Sequence, residues 1–428
     1  MTEFSFLLAV LRGLMQVLAH PLFYVALLLV YMQYVRQNGM ERRMFGVRVH
    51  SPNEQFLRSL GYGVAGGLLA TALLTAVGAV LNPSDLLYVW VVALCLALIN
   101  ARFICFAYAG GLLSVISLVL QALPEWQLAP GILATIYTDL RGLHIPQLMA
   151  LVAVLHLVEA LLVYLNGSEQ PMPVFVEGKR GRLIGGFILQ KFWVVPMAAF
   201  VVVGTGSGVT APSWWPLIPL GALGSLMVVP FPSILGYSGV ALTQTPKKKA
   251  ATTSRYLAGY SLVLLGLAVG SAYWPPLLWV AAMFCTVAHE VLILIEIREE
   301  QSGQPIYVRP LQGLKILSVL PQSPAQEMGL ASGETIVRVN GTPVNTPYDL
   351  HFALNQNPAF AKLEVLTPEG EPRFASTPIY MGDHHQLGII LVPDDQARQY
   401  VRLDSISPWR WLWGRLVGGG KQAPSTYH

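Results

Sequence analysis

Apolar runs of membrane-crossing length follow one another from residue 60 to residue 297, and that repetition is incompatible with an ordinary soluble core. A helix needs roughly 17–25 mostly apolar residues to cross the hydrocarbon layer of a bilayer. Such runs lie at about 60–82, 85–100, 103–122, 145–166, 184–206, 214–235, 256–273 and 276–297. In the first 35 residues, segment 4–19 carries Arg12 and Gln16, His20-Pro21 interrupts it, and 21–35 is apolar again. This reads as one kinked span, or as an interfacial helix followed by a short span. The fold class is therefore an α-helical polytopic membrane bundle of about eight or nine spans. Only 12% of the residues are charged, against about 25% in a soluble domain. No short apolar segment followed by a small-residue cleavage site opens the chain, so no removable signal peptide is expected.

The positive charges alternate from loop to loop. Arg36, Arg42, Arg43, Arg48 and Arg58 fill the first loop, and Arg102 lies between the runs at 85–100 and 103–122. Lys179, Arg180 and Arg182 follow 145–166, and Lys247, Lys248, Lys249 and Arg255 follow 214–235. The intervening loops NPSD, GTGSGVTAPS and YWPP carry no Lys or Arg, and loop 123–144 has only Arg141 against Glu125 and Asp139. The basic side of such a protein faces the cytoplasm, which places everything after Arg298 there. The formal net charge of +4 is small, and no nucleic-acid partner is expected.

From about residue 305 the texture changes to short strand-like runs separated by turn residues. LKILSVL and ETIVRV read as strands, and SPAQEMGL as a short helix capped by Ser323, opened by Pro324 and stopped by Gly329. Asn340-Gly341 supplies a turn, PYDLHFALNQN from Pro347 an amphipathic helix, and Pro368-Glu369-Gly370 a hairpin. The run GLKILSVLPQSPAQEMGLASGETIVRVNGTPV resembles the core of bacterial PDZ domains. That resemblance implies recognition by strand addition, in which an extended peptide or protein C-terminus pairs with an edge strand. By position, Leu311, Gln312, Gly313 and Leu314 would receive the carboxylate. Leu314, Ile316 and Ser318 would lie on the pairing edge, and Leu350, Ala353 and Leu354 would line the helix side. The alternative is that these leucines are simply core.

Membrane proteins with such a module are often proteases, and each class fails on its residues. HEVLI at His289 to Ile293 lacks the second histidine of a zinc protease. GYSG at Gly236 to Gly239, with His289 downstream, has a rhomboid-like form. Ser238 nevertheless lies just before PKKK while His289 sits mid-span, so the two fall at different depths. No stretch before residue 305 leaves room for a soluble protease domain. Asp383-His384-His385 reads as a turn into LGIILV rather than a metal site. The cysteines, Cys95, Cys105 and Cys285, lie in apolar segments without CxxC spacing, so no metal site and no cofactor is expected.

Ionisable residues at membrane depth face a bundle interior. His156, Glu159, Lys191, His289 and Glu290 are the candidates, with Lys191 expected to pair with Glu159 or Glu290. A packing role is favoured over transport. Near the end of the chain, Trp409, Trp411 and Trp413 beside Arg410 and Arg415 suit a membrane interface.

HPLFY (His20 to Tyr24), the many spans, the C-terminal module and GDHHQLGI (Gly382 to Ile389) together resemble the MinJ family of cell-division topological determinants. The resemblance implies a non-enzymatic adaptor in the plasma membrane, at septum and poles. It would link a DivIVA-type protein to MinD and so position the MinC division inhibitor. The alternatives are a membrane protease or protease regulator and a transporter with a regulatory PDZ domain. The expected organisation is a transmembrane domain at 1–298, a cytoplasmic PDZ domain at 299–398 and a Trp/Arg-rich tail at 399–428.

Overall fold

The computed structural model describes residues 2–99, 103, 105–127, 129–178, 181–203, 215, 218, 225–379, 387–394 and 399–401. Helices α1 (Thr2–Val17) and α2 (Pro21–Phe45) meet at a bend of 54° where the sequence reads His20-Pro21. Proline offers no N–H to the preceding turn, and the His20 side chain accepts the Leu22 N–H instead. There follow α3 (Pro52–Val77), β1 (Val80–Leu81), α4 (Pro83–Ile99), α5 (Phe106–Ala122), α6 (Ile132–Arg141) and α7 (Ile145–Asn166). Next come β2 (Met172–Glu177), β3 (Leu183–Val203), β4 (Ser225–Ala241), α8 (Pro246–Tyr273) and α9 (Leu277–Ser302).

Among the described residues, α3, α7, α8 and α9 are each long and apolar enough to span a membrane, and the bent α1–α2 pair makes a fifth when counted as one span. The α4 and α5 helices are apolar but only 17 residues each, about 26 Å of helix against a hydrocarbon layer of about 30 Å. The expectation of eight or nine helical spans is corrected most sharply at 184–206 and 214–235. Their described residues are the strands β3 and β4, not helices.

The reason lies in residue type rather than hydropathy. LIGGFILQKFWVVPMAAFVVV and SLMVVPFPSILGYSGVA place Pro196, Pro230 and Pro232 where a helix interior would lose hydrogen bonds. Valine, isoleucine and aromatic residues, which favour a pleated surface, are frequent in both segments. The two strands pair antiparallel from Phe187↔Ala241 to Val203↔Ser225, with Pro196 opposite Pro232. On its other side β3 pairs with β2 over Leu183–Ile188 and with β1 at Phe200 and Val201.

Among the described residues, no strand lies beside the outer edge of β3 between those two partners. Helix α3 covers it, running in the same direction as the strand. Ser59 Oγ donates to Phe192 O, and the Tyr34 hydroxyl donates to Phe192 O (3.1 Å) and accepts from Phe192 N (3.2 Å). One helical turn on, Gly63 lies against the backbone of Val194, and Gly67 against Pro196. Thr71 Oγ1 then accepts the Ala198 N–H at 3.0 Å. Four helical residues rise about 6 Å and two strand residues about 6.6 Å, so the stripe Ser59, Gly63, Gly67, Thr71 stays in step with alternate residues of β3. Pro196 falls on this edge, where its missing N–H leaves no donor unmet.

The ends of β4, α8 and α9 are tied by charge. Glu300 accepts from Leu242 N (2.9 Å), Thr243 N (3.0 Å) and Thr243 Oγ1 (3.1 Å). Together with Glu296 it faces the buried Lys249 ammonium, at 3.8 and 3.6 Å. Helix α7 lies at the centre, with most of its residues buried.

A methyl group at Gly67 would collide with the Pro196 carbonyl, whereas Gly61 has open space around its Cα. Gly67→Val is expected to destabilise the fold by at least about 1–3 kcal/mol, the usual range for overpacking. Gly61→Ala should be neutral. Thermal unfolding of the detergent-solubilised chain, followed by monodispersity, checks this; equal stability of the two variants contradicts the edge-covering role of α3.

Candidate functional site

The C-terminal module is built from β5 (Leu314–Val319), α10 (Pro324–Glu327), β6 (Thr335–Val339), β7 (Thr342–Pro343), α11 (Pro347–Asn355), β8 (Phe360–Leu366), β9 (Pro372–Pro378) and β10 (Ile389–Leu391). The turn chemistry read from the sequence is present. Ser323 Oγ accepts the Gln326 N–H at the start of α10, and Gly329 takes a left-handed conformation after it. Asn340 and Gly341 both have positive φ, as the turn from β6 to β7 requires, and Gly370 has it between β8 and β9. Along β8, Ala361, Leu363 and Val365 point into the core while Lys362 faces out.

The sheet order is β10-β5-β6-β8-β9, with β7 beside β6. The β5 strand is thus interior. Ile389, Ile390 and Leu391 pair with Val319, Ser318 and Ile316 on one side, and Leu314 and Lys315 pair with β6 on the other. The pairing edge expected at Leu314, Ile316 and Ser318 is already occupied by the chain's own β10. Among the described residues, the end strands of this sheet are β10 and β9, and β10 is the one beside β5.

The expected groove residues fall into two sets. Leu311 is fully exposed and Gln312 is exposed, while Gly313 donates its N–H to Asn345 Oδ1 at 2.9 Å. Leu314 and Ile316 are buried in the module core, and so are Leu350, Ala353 and Leu354. Leu314, with Gly313, also lines the cleft beside the start of α11. The α11 face that remains open carries Tyr348, His351 and Phe352, and a small cleft lies between its start and Leu391, lined also by Arg309, Asn345 and Pro347.

The other face of β5 packs on the sheet of the helical part. Leu317 lies against Gly185 and shares a core with Tyr307, Phe187 and Ile390. The Gly185 N–H donates to Tyr307 O at 2.8 Å, and the Val401 N–H donates to Phe175 O at 2.8 Å.

The intramembrane candidates separate in space. Lys191 sits on β3, a strand rather than the helix read for it, opposite Tyr237. Glu159 lies one turn after His156 on α7. Glu290 accepts from the Tyr108 hydroxyl at 2.6 Å. Ser238 lies in β4 opposite Gln190, and the His289 ring packs on Tyr108, His156 and Tyr260.

His156 and His289 converge with Cys105, a residue the sequence reading placed in no site. Cys105 Sγ lies 3.1 Å from His156 Nε2 and 3.7 Å from His289 Nε2. The three come from the start of α5, the middle of α7 and the middle of α9, so no short spacing announces them. Asp383, His384 and His385, and Trp409, Trp411 and Trp413, lie outside the described residues.

No protein-family model matches the chain. Among curated proteins, the cell division topological determinant MinJ of Bacillus subtilis (strain 168) is 27% identical over 390 residues, 89% of this chain and 94% of that protein. The probable cell division topological determinant MinJ of Lacticaseibacillus paracasei is 30% identical over 299 residues, 67% of this chain and 78% of that protein. The chain belongs to the MinJ family. An alignment of 390 residues fits within neither the helical part nor the module, so likeness to MinJ takes in both. The short motif GDHHQLGI, read above as a MinJ feature, ends in the residues that build the outer strand.

Helix α11 is started by a capping box. Thr346 Oγ1 accepts the Asp349 N–H, and Asp349 Oδ2 accepts the N–H groups of Asn345 and Thr346. Those bonds to the ionised form hold the Asp349 carboxyl below its ordinary pKa. A carboxylate with a lowered folded pKa contributes stability above its unfolded pKa, and the contribution is lost as pH falls through the folded value. Protection of the α11 amides against exchange should accordingly fall in acid for the native chain and be lower but flatter with pH in Asp349→Asn. Identical protection factors in both chains at every pH contradict this.

Proposed function

We propose that the chain is a non-enzymatic membrane scaffold that helps place the division site. The observation that carries the reading is the pairing, in one MinJ-family chain, of a membrane-crossing helical part with a sheet module whose outer strand is open. The curated relatives are named as topological determinants of cell division.

In this reading residues 299–398 form a PDZ domain and 1–298 its membrane anchor. The peptide site moves from β5 to the groove between β10 and the exposed face of α11: of the two end strands, β10 and β9, β10 is the one whose Leu391 lines the cleft at the start of α11. Leu311, Gln312 and Gly313 then flank the groove, with Gly313 lining the cleft itself. The partners are a DivIVA-type protein and a MinD-type protein, joined in the plasma membrane at septum and poles. The β3–β4 hairpin leaves the basic side and returns to it, as a pair of helices would, so the module stays cytoplasmic. Trp409, Trp411 and Trp413 would rest the tail on the same leaflet.

A fluorescent fusion in the native host is expected to mark septa and poles, and deletion to give filaments or minicells. Phe352→Glu, on the open face of α11, should leave the protein in the membrane but spread its signal evenly. A uniform signal from the native chain, with normal cell length after deletion, would overturn the scaffold reading.

A further inference from the structure

The Cys105, His156 and His289 side chains meet from three different helices. One ligand atom from each lies within 4.8 Å of the other two. An S–H···N hydrogen bond from Cys105 to His156 accounts for the 3.1 Å contact but uses only one of the two converging imidazoles. The second, His289 Nε2, approaches the same sulfur at 3.7 Å. A tetrahedral zinc ion sits about 2.3 Å from sulfur and about 2.0–2.1 Å from nitrogen, which holds those atoms about 3.5 Å apart. The two observed separations bracket that value.

The surroundings prepare the ligands. His156 Nδ1 lies 2.8 Å from the Val152 carbonyl oxygen and, as the donor there, leaves the Nε2 lone pair facing Cys105. Tyr108, His156 and Tyr260 pack edge-on around the His289 ring and fix its plane, while His289 Nδ1 is buried without a hydrogen-bond partner in the described structure. Its Nε2 is the nitrogen that faces the cluster. Nearby Cys285 is fully buried and directed at Ala107 O and Tyr260, so it does not compete as a ligand. Cys105 and His289 are only half-buried, which leaves a way in.

We propose that Cys105, His156 and His289 form a zinc site that clamps α5, α7 and α9 together inside the membrane part. Cys105 binds as the thiolate, its proton passing to solvent, and the two histidines bind through Nε2. Three protein ligands leave the fourth corner of the tetrahedron to water or to a partner's side chain.

The full-length chain, purified in detergent, is loaded with zinc and analysed for metal, and separately with cobalt(II) as a spectroscopic substitute. The native protein should retain about one zinc per chain, and the cobalt form should show a sulfur-to-cobalt charge-transfer band with tetrahedral visible bands. Cys105→Ser should lose that band and most of the zinc, while Cys95→Ser, at an exposed cysteine, keeps both. Added zinc should raise the unfolding temperature of the native chain and leave that of Cys105→Ser unmoved. His156→Ala is a poor variant on its own, since its ring is buried; His289→Gln serves as the second ligand test, and it too should abolish the zinc-dependent rise. Far less than one zinc per native chain, a cobalt spectrum without the sulfur band, or equal zinc retention by Cys105→Ser would each overturn the site. Stoichiometric copper in place of zinc would overturn the assignment of the ion.

Discussion

The edge of β3 between Ile188 and Phe200 is the constraint around which the helical part is organised. A strand in apolar surroundings cannot leave its peptide groups without partners, because no water is there to take them. Elsewhere along this edge of β3 a neighbouring strand meets the need, but along this stretch a helix does. The solution demands small residues at a spacing of four on α3, two hydroxyls at the ends of the stripe, and a proline where no donor is wanted. Once β3 is satisfied on both edges it can serve as the spine. It carries β2 at one end and β1 at the other, pairs with β4 throughout, and offers Gly185 as the seat for the module.

The helices were legible because hydropathy and helix length report the same thing. Run 145–166 coincides with α7, and the runs at 256–273 and 276–297 lie inside α8 and α9. Hydropathy alone does not separate a helix from a strand that is buried on both faces, and it failed at β3 and β4 for that reason. The discriminating signal was present in Gly185-Gly186, Pro196, Pro230 and Pro232. Their weight became clear only with the partner that makes a strand viable there, and that partner lies more than a hundred residues upstream in α3. A mark of it does stand in the sequence, as the Gly63 to Gly67 interval.

The module shows the same division between local and distant information. Its caps and turns followed from a few adjacent residues and appear where they were read. Strand order did not follow, since β10 is three residues long and joins β5 from about seventy residues away. Leu350, Ala353 and Leu354 have the spacing of one helix face, and spacing cannot say whether that face looks into a core or into a groove. The Cys105, His156 and His289 cluster was illegible for a related cause: each residue is unremarkable on its own helix, and only the packing of α5, α7 and α9 brings them together.

The contact between Gly185 and Tyr307 changes how force would run through the molecule. A module tethered by a linker alone swivels, and a tug on it is spent in slack chain. Here the backbone bond to β3, the seating of Leu317 and the attachment of Val401 to β2 give it a second mooring, while Glu300 braces the root of α9 against β4. Tension applied to the module is shared between α9 and the β3 spine and reaches the membrane along two lines. Such a body resists rotation, so whatever grips it meets a surface of fixed bearing relative to the bilayer, and a complex assembled on it inherits that bearing.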